Sequence, residues 1–123
     1  MVCVRTVRYR VRFNSEESEQ FTPTRGLRQG DPLSPYLFLL CIEGLTSLLS
    51  HAEWSDELKG VQVCRDAPTI SNLLFADDSL ILMHATSGNA NCLRRILSDY
   101  CKASGQLVSE DKSSIFFSPS TEP

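Results

Sequence analysis

An α+β fold is predicted for this chain, an antiparallel sheet with hairpins packed on two helices, and three patterns predict it. Residues 7–13 alternate apolar and basic side chains without a break, the period of a strand with one face covered. Residues 36–51 are apolar around most of a helical circumference, the pattern of a buried helix. Residues 72–76 and 79–83 are two short apolar runs flanking Asp77 and Asp78, the layout of a hairpin with acids at its tip.

The first strand places Val7, Tyr9, Val11 and Phe13 on one face and Arg8, Arg10 and Arg12 on the other. The polar residues 14–19 are its expected turn. Residues 20–22 can return before Pro23, which has no N–H to donate, ends the pairing. Ser34 suits a helix cap and Pro35 a first helical position, where the missing N–H costs nothing. The helix then runs from Tyr36 to about His51, with Gly44 weakening its middle slightly and leaving room for a strand to approach. Residues 54–59 read as a loop and 60–63 as a short strand, after which a polar connection leads through Pro68 to the acidic hairpin. Ser87 is the expected cap of a second helix, in which Leu93, Ile96, Leu97, Tyr100 and Cys101 recur every three or four residues. Gly105 stops it. Leu107 and Val108 are expected to pair with residues 115–117 as closing antiparallel strands, and residues 119–123 to form a disordered tail.

Length and composition bound the rest. A chain of 123 residues, 41% hydrophobic and 22% charged, is long enough for one core and too short for two. No run of about 18 or more apolar residues occurs and the first residues lack a signal-peptide layout, so no membrane partner is expected and the chain reads as intracellular, in nucleus or cytoplasm. Its five cysteines are odd in number and lack the paired spacing of a zinc site, which fits free thiols packed in a core. His51 and His84 are isolated and read as structural. A net charge of -3 argues against a strongly basic stand-alone nucleic-acid binder. Residues 1–30 nevertheless hold six arginines against three glutamates, so any nucleic-acid contact should favour that end.

Paired acids at a bend have two readings: ordinary turn chemistry, or a site for a cation such as Mg2+, a hard ion that takes one or two carboxylates plus substrate phosphates. Two further stretches decide between them. Gly26-Leu27-Arg28-Gln29-Gly30-Asp31-Pro32-Leu33-Ser34-Pro35-Tyr36-Leu37-Phe38 is a Gly-punctuated, Arg-bearing loop that opens the long helix. Ala103-Ser104-Gly105-Gln106-Leu107-Val108 is followed by Lys112-Ser113-Ser114-Ile115-Phe116-Phe117-Ser118. With Phe75-Ala76-Asp77-Asp78 between them, these motifs resemble, in order, the palm of reverse transcriptases of the non-LTR (LINE-type) retrotransposons, with group II intron proteins as more distant relatives.

The resemblance implies that residues 1–118 are a partial palm domain and that the parent enzyme adds deoxynucleotide triphosphates to a DNA primer on an RNA template, with Mg2+ or Mn2+ as cofactor. It implies Asp77 as the principal metal ligand and Asp78 as the accessory one, with Lys112 near the leaving pyrophosphate. Gln29 and Gly30 match positions against the incoming nucleotide and its template base, Phe75 and Ala76 count with Arg28 among the substrate-binding positions, and Ala76 is small enough to let the primer end come close. Arg28 reads either as a phosphate or template contact or as a loop surface charge, and Lys112 either as described or as an exposed turn lysine. Arg8, Arg10 and Arg12 read equally as a solvated sheet face or as nucleic-acid contacts.

Relatives usually carry Asn where Ser109 stands and Gly where Ser15 stands. The family's first catalytic aspartate belongs on a strand ahead of this chain, and residues 1–13 contain no acid. The chain is therefore expected to be inactive when isolated and, with part of its long helix uncovered, to self-associate. The rival reading is a non-catalytic retrotransposon remnant serving as a nucleic-acid or protein-binding module.

Overall fold

The computed structural model describes residues 6–24 and 26–121, so that Cys3, Arg25 and the end of the expected tail lie outside the described residues. In order the elements are β1 (Arg12–Phe13), β2 (Glu16–Glu17), α1 (Ser34–Trp54), β3 (Asn72–Phe75), β4 (Asp78–Ile81), α2 (Ser87–Ser104) and a 3₁₀ turn (Glu110–Lys112). Two small antiparallel sheets and two helices make this an α+β fold, as the sequence predicts. The chain forms two compact units, Met1–Leu39 and Leu40–Pro123.

In the first unit the long strand expected over residues 7–13 is broken. Tyr9 bridges Phe21 through two main-chain hydrogen bonds of 2.9 and 3.0 Å, their rings 6.0 Å apart. Beyond it the hairpin tightens, with Arg12 opposite Glu17 and Phe13 opposite Glu16, so the turn is two residues and not the six expected. Ser18 holds this offset, its Oγ accepting from the Val11 N–H (2.9 Å) while its own N–H donates to the Val11 carbonyl (2.8 Å). Val7 and Tyr9 are half-buried, but Val11 and Phe13 are 56% and 75% exposed, so the predicted covered face covers only its first half.

Asn14 and Ser15 form the turn with φ of 47° and 68°. Positive φ at both central residues is what a type I′ turn requires, and its twist matches that of the paired strands. Serine has a Cβ that the left-handed region disfavours. Ser15→Gly is therefore expected to stabilise the hairpin by roughly 0.5 kcal/mol after the added chain entropy is set against the relieved strain. Slower exchange of the Phe13 and Glu16 amides would register it; faster exchange would show that Ser15 is not strained.

In the second unit the core gathers Leu45, Leu49 and Ala52 from α1, Leu58 from the loop after it, and Cys92, Ile96 and Tyr100 from α2. Full burial of a leucine contributes roughly 1.5–3 kcal/mol. Leu49 and Leu58, at 0% and 2% exposed, are the largest fully buried side chains among the described residues. The expectation that α1 is buried nearly all round is corrected. One stripe of it meets the core, while Leu40 and Leu48 remain 71% and 40% exposed. Among the described residues Gly44 likewise has no strand beside it, since a Cβ there would meet nothing within 4 Å. By length and composition α1 could cross a membrane, a test that the core helix of a soluble protein also passes. It runs on past His51 to Trp54 and ends where Asp56 turns left-handed (φ 56°) and Glu57 and Leu58 donate to the Ala52 carbonyl (2.9 and 3.1 Å). That reversal folds Leu58 back into the core.

The α2 helix shows the predicted amphipathic spacing. Its cap is Thr86 in place of Ser87, with the Thr86 side chain accepting from the Asn89 N–H at 3.2 Å. Gly105, at φ 74°, ends it with an N–H bond to the Cys101 carbonyl (2.9 Å). The short strand expected at 60–63 is reduced to one bridge, Val61 to Ile70. The closing pair is not formed: no hydrogen bond among the described residues joins 107–108 to 115–117, and Ile115, Phe116 and Phe117 are 81%, 90% and 69% exposed. An isolated two-stranded ribbon is marginal in water, so apolar composition alone does not pair these runs. Cys41, Cys64, Cys92 and Cys101 are free thiols, with Cys92 buried and Cys64 exposed.

Candidate functional site

The loop of the first unit is organised around backbone groups. The Arg28 carbonyl accepts from the Ser34 hydroxyl (2.7 Å) and from the Asp31 N–H (3.3 Å), while Asp31 Oδ1 accepts from the Leu33 N–H (2.9 Å) and its carbonyl from the Ser34 N–H (3.1 Å). Ser34 therefore ties the helix start to the loop. Gly30 sits at φ 80°, and a Cβ placed there would meet nothing within 4 Å, so glycine supplies the left-handed backbone and leaves open space beside it. Arg28 and Gln29 are exposed. A pocket of about 20 Å³ lies under the loop between Val7, Tyr9, Leu27, Asp31 and Leu37, the size of a water and not of a nucleotide.

Of the three arginines, Arg10 is engaged by Glu17 at 3.2 Å and Arg12 stands opposite the same glutamate, so an acid sits within the basic face. Arg8 is exposed.

In the second unit β3 and β4 pair in the register Asn72↔Ile81, Leu73↔Leu80, Leu74↔Ser79 and Phe75↔Asp78. The bend is therefore Ala76-Asp77. Cross-strand partners share a face, which puts Asp78 with Phe75, Leu73 and Leu80 on the side where those three are 81%, 53% and 54% exposed. Leu74 and Ile81 face the other way and are half-buried. Ala76 has φ 51°, a backbone that L-residues adopt at a cost of order 1–2 kcal/mol. Asp77 and Asp78 are both exposed, and neither carboxylate has a hydrogen-bond or ion-pair partner among the described residues.

Two unpartnered carboxylates at one bend are hard oxygen donors of the kind that Mg2+ takes. They fit as part of a ligand set: no group of three potential metal ligands occurs among the described residues. Lys112 ends the 3₁₀ turn, exposed, its N–H donating to the Ser109 carbonyl (3.2 Å), and no ion pair joins it to Asp77 or Asp78. The motif at the end of α2 is held by Tyr100, whose hydroxyl donates to Gln106 Oε1 (2.7 Å), and by Ser104, whose hydroxyl donates to the Tyr100 carbonyl (2.8 Å). Burial pushes the Tyr100 phenol up from its ordinary pKa.

Two residues around the hairpin base carry no signal in the sequence. Asn89 binds main-chain groups of Lys59 and His84, and Gly60 packs against Glu53 and Ile70. A polar residue in a first helical turn and a glycine ahead of a strand are both too common to single out.

The family model for reverse transcriptase (RNA-dependent DNA polymerase) matches residues 2–122, and the chain belongs to that family. It is 35% identical over 96 residues to the retrovirus-related Pol polyprotein of a type-2 retrotransposable element of Drosophila melanogaster, a match covering 77% of this chain and 8% of the polyprotein. It is also 57% identical over 58 residues to an uncharacterized mitochondrial protein of Arabidopsis thaliana, covering 47% of this chain and 48% of that protein. No solved structure matches. The non-LTR retrotransposon affiliation that the motifs imply agrees with the polyprotein match. Divalent-metal dependence and nucleic-acid template and primer are general to the family.

Proposed function

We propose that this chain is the acidic-hairpin part of a reverse transcriptase palm, with residues 1–118 as a partial palm domain, and that its parent enzyme extends a DNA primer on an RNA template. The observation that carries this is the exposed, unpartnered pair Asp77 and Asp78 at a two-residue bend that Ala76 enters with a strained backbone. Strain of this kind clusters at functional positions.

Asp77, in the bend, and Asp78, at the start of β4, would hold a divalent cation. When bound, Mg2+ or Mn2+ supplies charge stabilisation to the phosphate oxygens of an in-line displacement. Phe75 and Ala76 present an open surface to the primer end, and the absence of a large side chain at Ala76 leaves it accessible. Gln29 and Gly30 lie against the incoming deoxynucleotide and its template base, with Arg28 placed to meet phosphate. Lys112 neutralises or protonates the departing pyrophosphate. Arg8 and Arg12 are the better candidates for nucleic-acid phosphates, since Glu17 already engages Arg10.

As an isolated polypeptide the chain is inactive in this reading, because Asp77 and Asp78 alone would supply too few carboxylates for the divalent cations that the displacement uses. Purified chain is expected to incorporate no deoxynucleotide on a primed RNA template with Mg2+ or Mn2+. Template-dependent incorporation abolished by Asp77→Ala would refute the inactivity. The exposed apolar side chains of α1, of the hairpin and of residues 115–117 are where self-association would begin. The proposed compartment is intracellular, nucleus or cytoplasm, with no membrane partner.

A further inference from the structure

We infer that Asn89 is the positioning residue of the acidic hairpin, its side-chain amide fixing the backbone from which β3 and β4 rise; this rests on the reading of that hairpin as a carboxylate platform. Asn89 lies in the first turn of α2 and is 5% exposed, yet its side chain is turned to distant backbone. Nδ2 donates to the carbonyls of Lys59 (3.3 Å) and His84 (2.9 Å), and Oδ1 accepts from the Lys59 N–H (3.2 Å). Both main-chain groups of Lys59 are thereby held, as a neighbouring strand would hold them.

The segment beginning at Lys59 runs beside both ends of the hairpin. His84, just beyond β4, donates its N–H to the Lys59 carbonyl (2.9 Å), and Val61 exchanges two bonds of 2.9 Å with Ile70, just ahead of β3. The Leu82 N–H closes the base on the Ser71 carbonyl at 2.8 Å. One amide thus fixes the rail along which the hairpin is set, and through it the place of Asp77 and Asp78. Without that amide the carbonyls of Lys59 and His84 keep one main-chain donor each, from His84 and Thr86, while the Lys59 N–H is left bare. The loss should therefore loosen the hairpin base and spare the helical core.

Hydrogen exchange of the full chain in dilute solution tests this in Asn89→Leu, which removes the amide at similar volume, and Asn89→Asp, which keeps the acceptor and loses both donors. Peptides within 70–84 are expected to exchange about tenfold faster, the scale of the two hydrogen bonds lost in Asn89→Asp and the three lost in Asn89→Leu, while those around Leu49 and Ile96 keep their protection. Mn2+ affinity, read from water-proton relaxation, should weaken severalfold in both variants although Asp77 and Asp78 are untouched. Unchanged exchange at 70–84 would overturn the inference, and so would loss of protection throughout the chain, since Asn89 would then be holding the core. Wild-type Mn2+ binding that Asp77→Asn leaves intact would instead sink the carboxylate-platform reading, with the exchange data still deciding the role of Asn89.

Discussion

Fused behind a segment of a related element that supplies a further carboxylate strand, and ahead of one that grips the duplex, this chain should extend a primer on RNA, and Asp77→Asn should abolish the extension. The expectation follows from what the hairpin has and what it lacks. Asp77 and Asp78 stand free at the bend, but no third ligand accompanies them among the described residues. On the proposed reading a supplied aspartate would complete the set. Loss of Asp77 then removes charge stabilisation throughout the displacement, a deficit of about 10³-fold or more at several kcal/mol of barrier. Lys112→Ala should cost less, about 10²-fold, because a misplaced or missing proton donor leaves the cation's contribution in place. A folded chimera that binds primer and template yet incorporates nothing would favour the remnant reading, and Ser15→Gly and Ser109→Asn would be the first reversions to try.

The acidic hairpin is legible in the sequence because its signal is local: apolar runs of strand length on either side of two acids specify both strands and the bend. The amphipathic spacing of α2 and its stop at Gly105 are legible for the same reason. The cover of α1 is not, because an apolar circumference says that cover is wanted and not where it comes from. Among the described residues the stripe of Leu45, Leu49 and Ala52 finds full cover in the second unit. The first hairpin is shorter than its alternation suggests because the bond between Ser18 and Val11, which resets its register, joins residues seven apart and leaves no trace in the pattern. For the site the limit is similar. Asp77, Asp78, Gln29 and Gly30 are recognisable as parts of motifs, whereas Asn89 acts on backbone 30 residues away, where side-chain identity carries no information.

Gly60→Ala should be the most damaging single-methyl change in the second unit, and the reason is a clash no rotamer can avoid. An added Cβ would stand 2.6 Å from Glu53 Oε1, 2.7 Å from the Ile70 carbonyl oxygen and 2.7 Å from Thr69 Cγ2. Glu53 can swing away, and its buried Oε1 has no hydrogen-bond partner to lose. The Ile70 oxygen cannot, because it accepts from the Val61 N–H at 2.9 Å in the bridge that sets the hairpin base. Relief therefore means parting that bridge. Overpacking of this kind costs about 2–3 kcal/mol, a large share of the roughly 5–15 kcal/mol that holds a domain together. A melting temperature lower by roughly 10 °C is expected. Adding Glu53→Ala should restore only a part, since the carbonyl contact remains. A Gly60→Ala chain that melts with the wild type, or one fully rescued by Glu53→Ala, would show that the backbone at Ile70 is free to give and that the hairpin base is not rigid.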